Sequence, residues 1–324
     1  MKREKESANE QVKKLFKKRG LEALEIARKA VLEEKIESKE IREALRYFMM
    51  EYWHDVARPG LLSIVCESVG GNAEAVTDVA IPLVLISGAA DIHDDIIDES
   101  KTKYSRPTVY GKFGKDIAIL AGDALFFKGL NMLNLSCLER PQIVDIVKDM
   151  FFELGDAEAL ELQLRRKTTV LPETCLRIIR KKAADVEAHA RIGAIKGGGT
   201  KKQIDVLGEY GRLLGMLIIL KDDYIDSLEH EELENRIMKE HFPLPIIYAL
   251  QQGETSTKLV GLLKKRNLNK IDLDNIIKMT TKSKGFQHVT KTMNEIAAQA
   301  KSILNSLKEK RTLRLVVNSL IEDL

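Results

Sequence analysis

Two copies of one acidic pattern stand out among the residues that could do chemistry. The first reads Asp94-Asp95-Ile96-Ile97-Asp98 and the second Asp222-Asp223-Tyr224-Ile225-Asp226. Each follows an apolar run of helical character, and on a helix the first and last aspartates of each pattern share a face. Carboxylates crowded beside an apolar wall repel one another, so a cation is expected between them. Such oxygen ligands suit Mg²⁺, which fills its remaining positions with water and substrate phosphate.

Composition narrows the possible function classes. With 324 residues, 44% of them hydrophobic, the chain can bury a large core. A net charge of +3 and 5% aromatic residues do not favour a nucleic-acid surface. No uncharged apolar run reaches the roughly 18 residues of a membrane span, and residues 1–20 lack the apolar core of a secretory signal. Cys66, Cys137 and Cys175 lie far apart, which predicts reduced, buried thiols in a cytoplasmic protein.

Helical periodicity dominates the chain, and no convincing strand is evident. The pattern predicts helices over residues 11–32, 38–51, 59–69, 72–98, 115–135, 141–164, 172–196, 201–228 and 242–252, with three or four more from residue 256 onward. Glycines and prolines fall between these segments or near their ends. No repeat or low-complexity linker divides the chain. We therefore predict an all-α fold in which residues 1–324 form one domain, a helical bundle with the aspartate-bearing helices at its centre.

Basic residues near the acidic patterns could bind a polyanionic substrate. Lys103 lies in a basic loop after the first pattern, and Lys181 and Lys182 interrupt an otherwise apolar helix. Ammonium and guanidinium groups beside a metal site suit a substrate that carries phosphates. Each group also has a simpler interpretation. The lysines of the loop could pair with Glu99 at the surface, and Arg58 could either bind phosphate or cap a neighbouring helix.

In order and spacing, these motifs resemble those of the trans-isoprenyl diphosphate synthases, or polyprenyl synthetases. The resemblance covers nearly the whole chain. Both aspartate-rich signatures are present, and further family markers appear as Arg106-Pro107-Thr108, Gly122-Asp123 and Leu244-Pro245. The resemblance implies an isoprenoid synthase-type bundle around a central cavity, and a homodimer like its relatives.

The resemblance also implies a reaction, that of a trans-prenyltransferase in isoprenoid biosynthesis. The six aspartates would hold two or three Mg²⁺ ions against the diphosphate of an allylic substrate while its C–O bond ionises. Isopentenyl diphosphate would then attack the allylic cation to give a longer all-trans prenyl diphosphate. Lys181 would join the aspartates at the catalytic site, and substrate would be bound by Arg58, Lys103, Lys182 and Lys239.

Two alanines are expected to set the product length. In the family, the fourth and fifth residues before the first aspartate form the floor under the growing chain, and here they are Ala90 and Ala89. Two small residues leave depth, which predicts a geranylgeranyl or longer product. The alternative is that the alanines only let two helices approach closely.

The departures from the family pattern concentrate in the pocket for isopentenyl diphosphate. Asp55 stands where the family has a lysine, Tyr104 replaces the second of two arginines, and Ser87 replaces a glutamine or histidine. Each charge-assisted hydrogen bond contributes about 1.5–3 kcal/mol, so a pocket that loses cations and gains a carboxylate should bind a diphosphate more weakly.

Three functions are therefore open. In the first, the prenyltransferase, isopentenyl diphosphate is held by substitutes such as Lys182, Arg236 or Lys239. In the second, a terpene synthase-like lyase ionises an allylic diphosphate without isopentenyl diphosphate. In the third, a non-catalytic partner subunit only binds prenyl diphosphate. Retention of six clustered carboxylates argues against the third.

Overall fold

The computed structural model describes residues 6–103, 105–138 and 140–322. The chain divides into two compact units. The first runs to Val147 and includes His189–Ile204 and Leu307–Thr312. The second comprises Lys148–Ala188, Asp205–Ser306 and the chain from Leu313 onward. The single domain over residues 1–324 stays a prediction.

Helices account for nearly all of the regular structure, so the all-α prediction is confirmed. The first half of the chain forms α1 (Ala8–Leu32), α2 (Lys39–Tyr47), α3 (Ala57–Ser68), α4 (Thr77–Ile97), α5 (Val109–Phe113), α6 (Lys115–Ser136) and α7 (Pro141–Leu162). A π-helical turn, Phe48–Tyr52, continues α2, and a 3-10 turn, Ala73–Val76, precedes α4. Ser38 caps α2 as predicted, accepting a hydrogen bond from the backbone N–H of Ile41.

The second half of the chain is also helical. It forms α8 (Pro172–Lys182), α9 (Ala184–Lys196), α10 (Lys201–Asp226), α11 (His230–Lys239), α12 (Leu244–Leu250), α13 (Gly253–Leu263), α14 (Lys270–Lys282), α15 (Gly285–Ile303) and α16 (Arg311–Ile321). Two differences from the prediction concern this half. The helix expected over residues 172–196 is interrupted at Ala183, and α11 forms within the acidic stretch that was not predicted to be helical.

One small hairpin is present in the described residues. Its strands are β1 (Thr102–Lys103) and β2 (Arg106–Pro107), and they pair antiparallel with Lys103 opposite Arg106. Thr108 follows the hairpin and closes it: its hydroxyl donates to the Ser100 carbonyl at 2.7 Å and accepts from the Gly111 N–H at 2.9 Å. The hairpin therefore fixes the basic loop beside the end of α4.

Helix α4 forms the centre of the first unit. It is apolar nearly all round, and Ile86 and Ala89 are both 0% exposed. Helix α6 packs along it because two of its glycines leave room for α4. A Cβ at Gly122 would collide with the His93 ring, and one at Gly129 would meet the Ile86 side chain.

The stretch Ala73–Ile97 also bears on the membrane prediction. Among the described residues it is the one helical segment long and apolar enough to cross a membrane, with a mean hydropathy of 1.7. In this structure 67% of that window is buried inside the protein, as expected for a core helix. The absence of a membrane span stays a prediction.

Helix α10 forms the centre of the second unit. Tyr210 is 0% exposed, and its hydroxyl donates to the Leu313 carbonyl at 3.0 Å. Gly215 allows α10 to approach the break between α8 and α9, because a Cβ there would lie 2.8 Å from that of Ala183. This packing carries the second acidic pattern to the end of a buried helix.

Candidate active site

The first triad (Asp94, Asp95 and Asp98) lies at the C-terminal end of α4. Asp98 is the first residue beyond the helix, but its N–H still donates to the Asp94 carbonyl at 2.9 Å. Asp94 and Asp98 therefore still lie on one face of the helix, as predicted, although Asp98 is the C-cap residue. Both are half-buried, whereas Asp95 is only 3% exposed. The triad thus combines accessible carboxylates with one that is almost fully desolvated.

Lys103 lies next to the first triad, and its role in binding substrate stays a prediction. Its Nζ is 3.1 Å from Asp91 Oδ1 and 3.7 Å from Asp95 Oδ1. Burial works to lower the pKa of Lys103, but the carboxylates of Asp91 and Asp95 outweigh it and raise that pKa. Lys103 therefore stays an ammonium group. Its position is set by Asp91 and Asp95, and not by the pairing with Glu99 that was the alternative interpretation.

Asp91 and Tyr52 are parts of this site that sequence reasoning missed. Asp91 precedes Asp95 by one helical turn, so the spacing that singled out the triad could have found it. Asp91 Oδ2, Asp95 Oδ2 and the Tyr52 hydroxyl are buried without a hydrogen-bond partner in the described part of the chain. Burial, then Asp91, raises the pKa of Asp95 to about 8, although Lys103 opposes the shift. One cation is thus not enough to neutralise these carboxylates.

The Gly122-Asp123 marker supports the same end of α4. His93 lies directly before the first triad, and its Nε2 is 3.4 Å from Asp123 Oδ1. The ring can reach this position because residue 122 has no side chain. Gly122 and Asp123 therefore fix the position of the His93 ring, which lies next to the triad.

The second triad (Asp222, Asp223 and Asp226) occupies the last turn of α10. Asp222 is exposed, Asp226 is half-buried, and Asp223 is 1% exposed. Burial, together with the neighbouring carboxylates of Asp222, Glu232 and Glu240, raises the pKa of Asp226 to about 7. Asp226 resembles Asp95 in this respect, because burial and neighbouring carboxylates raise the pKa of both residues.

Asp223 is held by protein groups on both oxygens. Arg236 Nη2 donates to Asp223 Oδ1, and the Leu244 N–H donates to Oδ2 at 3.1 Å. Arg236 also donates through Nη1 to Glu240 Oε2 at 2.9 Å. Asp223 therefore fastens α11 and the start of α12 to α10. Its role as a metal ligand stays a prediction, and its environment differs from that of Asp222.

Lys182 forms the centre of a half-buried charged cluster that the sequence did not reveal. Its Nζ lies 2.9 Å from Glu158 Oε1 and 2.6 Å from Glu161 Oε2. His241 Nδ1 lies 2.8 Å from the other oxygen of Glu161. Burial alone would raise the pKa of Glu161, but Lys182 and His241 hold it well below its usual range. A diphosphate at Lys182 would have to compete with two carboxylates.

Two other predicted basic residues, Lys181 and Arg58, also have acidic neighbours. Lys181 Nζ is 2.8 Å from Asp156 Oδ2, in an exposed pair. Arg58 Nη1 donates to Asp55 Oδ2 at 2.8 Å, and Lys239 is half-buried in the last turn of α11. Ser87 is 8% exposed, and Tyr104 lies outside the described residues.

The residues of both triads fit a hard divalent cation. Asp95 retains a buried oxygen without a hydrogen-bond partner in the described residues, and burial together with neighbouring carboxylates raises the pKa of both Asp95 and Asp226. No three His, Cys, Asp or Glu side chains within the described residues form a preformed metal cage. Mg²⁺ is usually bound through one or two carboxylates, with water and substrate phosphate completing the shell, so such a cage is not required.

Comparison with known proteins identifies relatives with related activities. The short chain isoprenyl diphosphate synthase of Methanothermobacter thermautotrophicus is 34% identical over 178 residues, which cover 54% of this chain and 55% of that protein. The geranylgeranyl diphosphate synthase of Methanosarcina mazei is 29% identical over 224 residues, covering 66% of this chain and 69% of that protein. The matched segment thus spans little more than half the length of the first relative.

The fold and the family are supported by two further comparisons. A crystal structure of a polyprenyl synthase from Caulobacter crescentus, complexed with calcium and isoprenyl diphosphate, matches with a TM-score of 0.85. It covers 99% of this chain and 98% of that chain at 18% identity, and shows that the fold is shared. The sequence profile of the polyprenyl synthetases matches residues 38–280. The chain belongs to the polyprenyl synthetase family.

Proposed function

We propose that the protein is a Mg²⁺-dependent prenyltransferase that condenses an allylic diphosphate with isopentenyl diphosphate to give a longer all-trans prenyl diphosphate. The observation that carries the proposal is the position of the two triads, each at the C-terminal end of a buried helix, with Asp95 Oδ2 buried and without a hydrogen-bond partner in the described residues. Burial and neighbouring carboxylates also raise the pKa of Asp95 to about 8 and of Asp226 to about 7, as expected for carboxylates that bind a cation. Family membership and the names of the two archaeal relatives support the same reaction.

In this proposal the side chains of each triad have separate tasks. Bound Mg²⁺, in two or three ions, neutralises the diphosphate leaving group. Asp94, Asp98, Asp222 and Asp226 provide the accessible carboxylates that hold the ions, and Asp95 supplies a further oxygen from a drier position. Lys103 and Lys181 donate hydrogen bonds to the allylic diphosphate. Asp223 holds the segment that follows the second triad.

A second candidate function is favoured by the contacts of the basic residues. Arg58 and Lys182, which were expected to help bind isopentenyl diphosphate, are each paired with carboxylates. Arg236, a possible substitute, is bound to Asp223 and Glu240. These pairs favour an enzyme that ionises an allylic diphosphate without a second substrate. Family membership favours condensation, which we keep as the main proposal.

One assay separates these functions. The protein is incubated with farnesyl diphosphate and Mg²⁺, with and without isopentenyl diphosphate, and products are separated by chromatography. Elongation that requires both substrates supports the prenyltransferase. A hydrocarbon or alcohol formed from farnesyl diphosphate alone supports the lyase, and no turnover supports the non-catalytic subunit.

The metal assignment has its own test. Asp94→Asn and Asp222→Asn each remove one negative charge with little change in shape. Both are expected to lower turnover by orders of magnitude while the unfolding transition stays close to wild type. Near-normal turnover in both variants would refute the assignment.

We also propose that the protein is a cytoplasmic homodimer. The outward face of α6 supports the dimer because it exposes large apolar side chains: Leu120 is 53% exposed, Phe127 73% and Leu135 64%. Several large apolar side chains exposed on one helix commonly mark a protein–protein interface. Phe127→Glu is expected to shift the sedimentation coefficient from dimer to monomer, whereas a wild-type monomer would refute the proposal. Three free, buried cysteines fit a reducing compartment.

A further inference from the structure

A groove in the first unit lies between α1 and the segment that leads into α3. It has a volume of about 450 Å³ and is lined by Lys13, Phe16, Lys17, Leu21, Leu24, Arg28, His54, Val56 and Ala57. Ligand pockets commonly measure roughly 300–1,000 Å³, so the groove can hold a small molecule. None of the lining residues belongs to a triad, and three of them, His54, Val56 and Ala57, are chain neighbours of Asp55 and Arg58.

The groove is positive at its rim. Lys13 and Lys17 are exposed, and neither forms an ion pair within residues 6–103, 105–138 and 140–322. They are one helical turn apart on α1, where like charges repel by a few tenths of a kcal/mol. No aspartate or glutamate lines the groove, although the lining residue Arg28 is paired with Glu25 at 2.7 Å, so the free positive charge at the rim is that of the two lysines. An anion between the two lysines would relieve their repulsion.

His54 adds an imidazole N–H to this rim. Arg28 Nη2 lies 2.8 Å from His54 Nδ1, and Arg28 also donates to the carbonyls of Met49 at 2.6 Å and Trp53 at 2.9 Å. Arginine has no acceptor, so Nδ1 of His54 must accept the hydrogen bond. The ring proton is then on Nε2, which is available as a donor to a ligand.

The remaining wall of the groove is apolar. Phe16, Leu21 and Leu24 come from α1, and Val56 and Ala57 face them from the segment before α3. Helix α1 lies so close to this segment that a side chain at Gly20 would collide with the Val56 carbonyl oxygen. The groove thus has a fixed apolar wall below a cationic rim.

We propose that this groove binds an amphiphilic anion, a phosphate or diphosphate head with a short apolar tail. The head lies between Lys13, Lys17 and His54, and the tail lies against Phe16 and Leu21. Charge complementarity and the apolar wall define this ligand class. Prenyl diphosphates belong to it, and their use as probes rests on the proposed function. Binding here would act on the segment that carries Asp55 and Arg58.

The test measures binding in EDTA, where the triads have no metal and their carboxylates repel a diphosphate. Geranyl diphosphate and inorganic diphosphate are titrated in parallel. Titration calorimetry gives the affinity. The fluorescence of Trp53, the single tryptophan of the chain, provides a second signal next to His54. We expect geranyl diphosphate to bind at least tenfold more tightly than inorganic diphosphate.

Matched variants locate the site. Lys17→Glu should weaken binding of geranyl diphosphate at least tenfold, whereas Lys18→Glu, an equal charge change outside the groove, should not. Leu21→Asn should weaken the binding of geranyl diphosphate but not the binding of inorganic diphosphate. Its control is Ile26→Asn, because Leu21 and Ile26 are both 38% exposed on α1. Circular dichroism checks that each variant is folded.

Three results would overturn the proposal. In the first, geranyl diphosphate does not bind in EDTA. In the second, the groove variants and their controls change binding equally. In the third, the protein binds geranyl diphosphate and inorganic diphosphate with equal affinity. None of them depends on turnover. Elongation in Mg²⁺ with no binding in EDTA would refute the groove and leave the proposed function intact.

Discussion

Arg58 Nη1 donates to Asp55 Oδ2 at 2.8 Å, so the arginine that was expected to bind isopentenyl diphosphate is already paired with a carboxylate. Asp55 has a second task. Its Oδ1 accepts hydrogen bonds from the N–H groups of Ala57 at 2.8 Å and Arg58 at 3.3 Å, at the first turn of α3. Asp55 thus caps α3 and neutralises Arg58. A diphosphate that uses Arg58 must displace it.

The first prediction follows from this pair. Asp55→Asn keeps the side-chain oxygen that caps α3 but removes the negative charge, because asparagine caps helices about as well as aspartate. We expect the KM for isopentenyl diphosphate to fall several-fold with little change in kcat. Steady-state kinetics at saturating allylic diphosphate measure both constants.

A control variant separates the charge from the cap. Asp55→Ala also frees Arg58 but loses the cap, so its free energy of unfolding should fall by about 1 kcal/mol relative to Asp55→Asn. An unchanged KM in both variants would show that Arg58 does not contact isopentenyl diphosphate.

The second prediction concerns pH and the metal. In the folded protein burial raises the pKa of Asp95 from 3.8 to about 8, so folding favours its protonated form. The stability linked to this proton is fully present below the unfolded pKa of 3.8 and is lost as pH rises through about 8. Without metal, Asp95→Asn should therefore gain stability relative to wild type as pH rises.

Thermal unfolding between about pH 5 and pH 9 measures this effect in EDTA and in Mg²⁺. Mg²⁺ replaces the missing positive charge, so the advantage of Asp95→Asn at high pH should disappear when Mg²⁺ is present. A difference between variant and wild type that does not change with pH would contradict the raised pKa.

Much of the fold could be predicted from the sequence because long helices carry a strong periodic signal. Helix α10 was predicted over residues 201–228 and is observed over Lys201–Asp226. The break at Ala183 was not predicted, because the residues on both sides have helical propensity and only packing against Gly215 distinguishes the position. Helix α11 was missed because its polar sequence has a weak apolar stripe, from which Leu233 and Ile237 are buried.

For the site, the sequence identified the acidic residues better than their partners. The triads were visible because their spacing is local and repeated. The pairs of Asp223 with Arg236 and of Glu161 with His241 join residues far apart in the chain. Such pairs depend on how α7, α10 and the segment after α11 pack, and no local pattern encodes that packing.

The third prediction concerns product length. Ala89 is 0% exposed, so its methyl group faces packed side chains, whereas Ala90 is partly exposed. Ala90→Phe should therefore shorten the product, as shown by chromatography of the dephosphorylated alcohols. Ala89→Phe should mainly destabilise the protein, since overpacking a core position typically costs 1–3 kcal/mol. Unchanged product length in Ala90→Phe would refute the assignment of the floor.

The last prediction separates the two neighbouring aspartates of the second triad. Asp223 is 1% exposed and paired with Arg236, whereas Asp222 is exposed. Removing one partner of a buried ion pair costs about 3–5 kcal/mol, because the other charge is left uncompensated. Asp223→Ala should therefore lower the free energy of unfolding strongly, and Asp222→Ala should leave it nearly unchanged while abolishing turnover.

A double-mutant cycle tests whether the loss of stability in Asp223→Ala arises because Arg236 is left without its partner. When Arg236→Met is combined with Asp223→Ala, both charges are gone, and stability should recover relative to the sum of the single changes. Denaturant unfolding in EDTA measures the coupling without any contribution from bound metal. Additive effects would show that Asp223 is buried for another reason. Equal losses of stability in Asp222→Ala and Asp223→Ala would show that the two aspartates do not differ as their surroundings indicate.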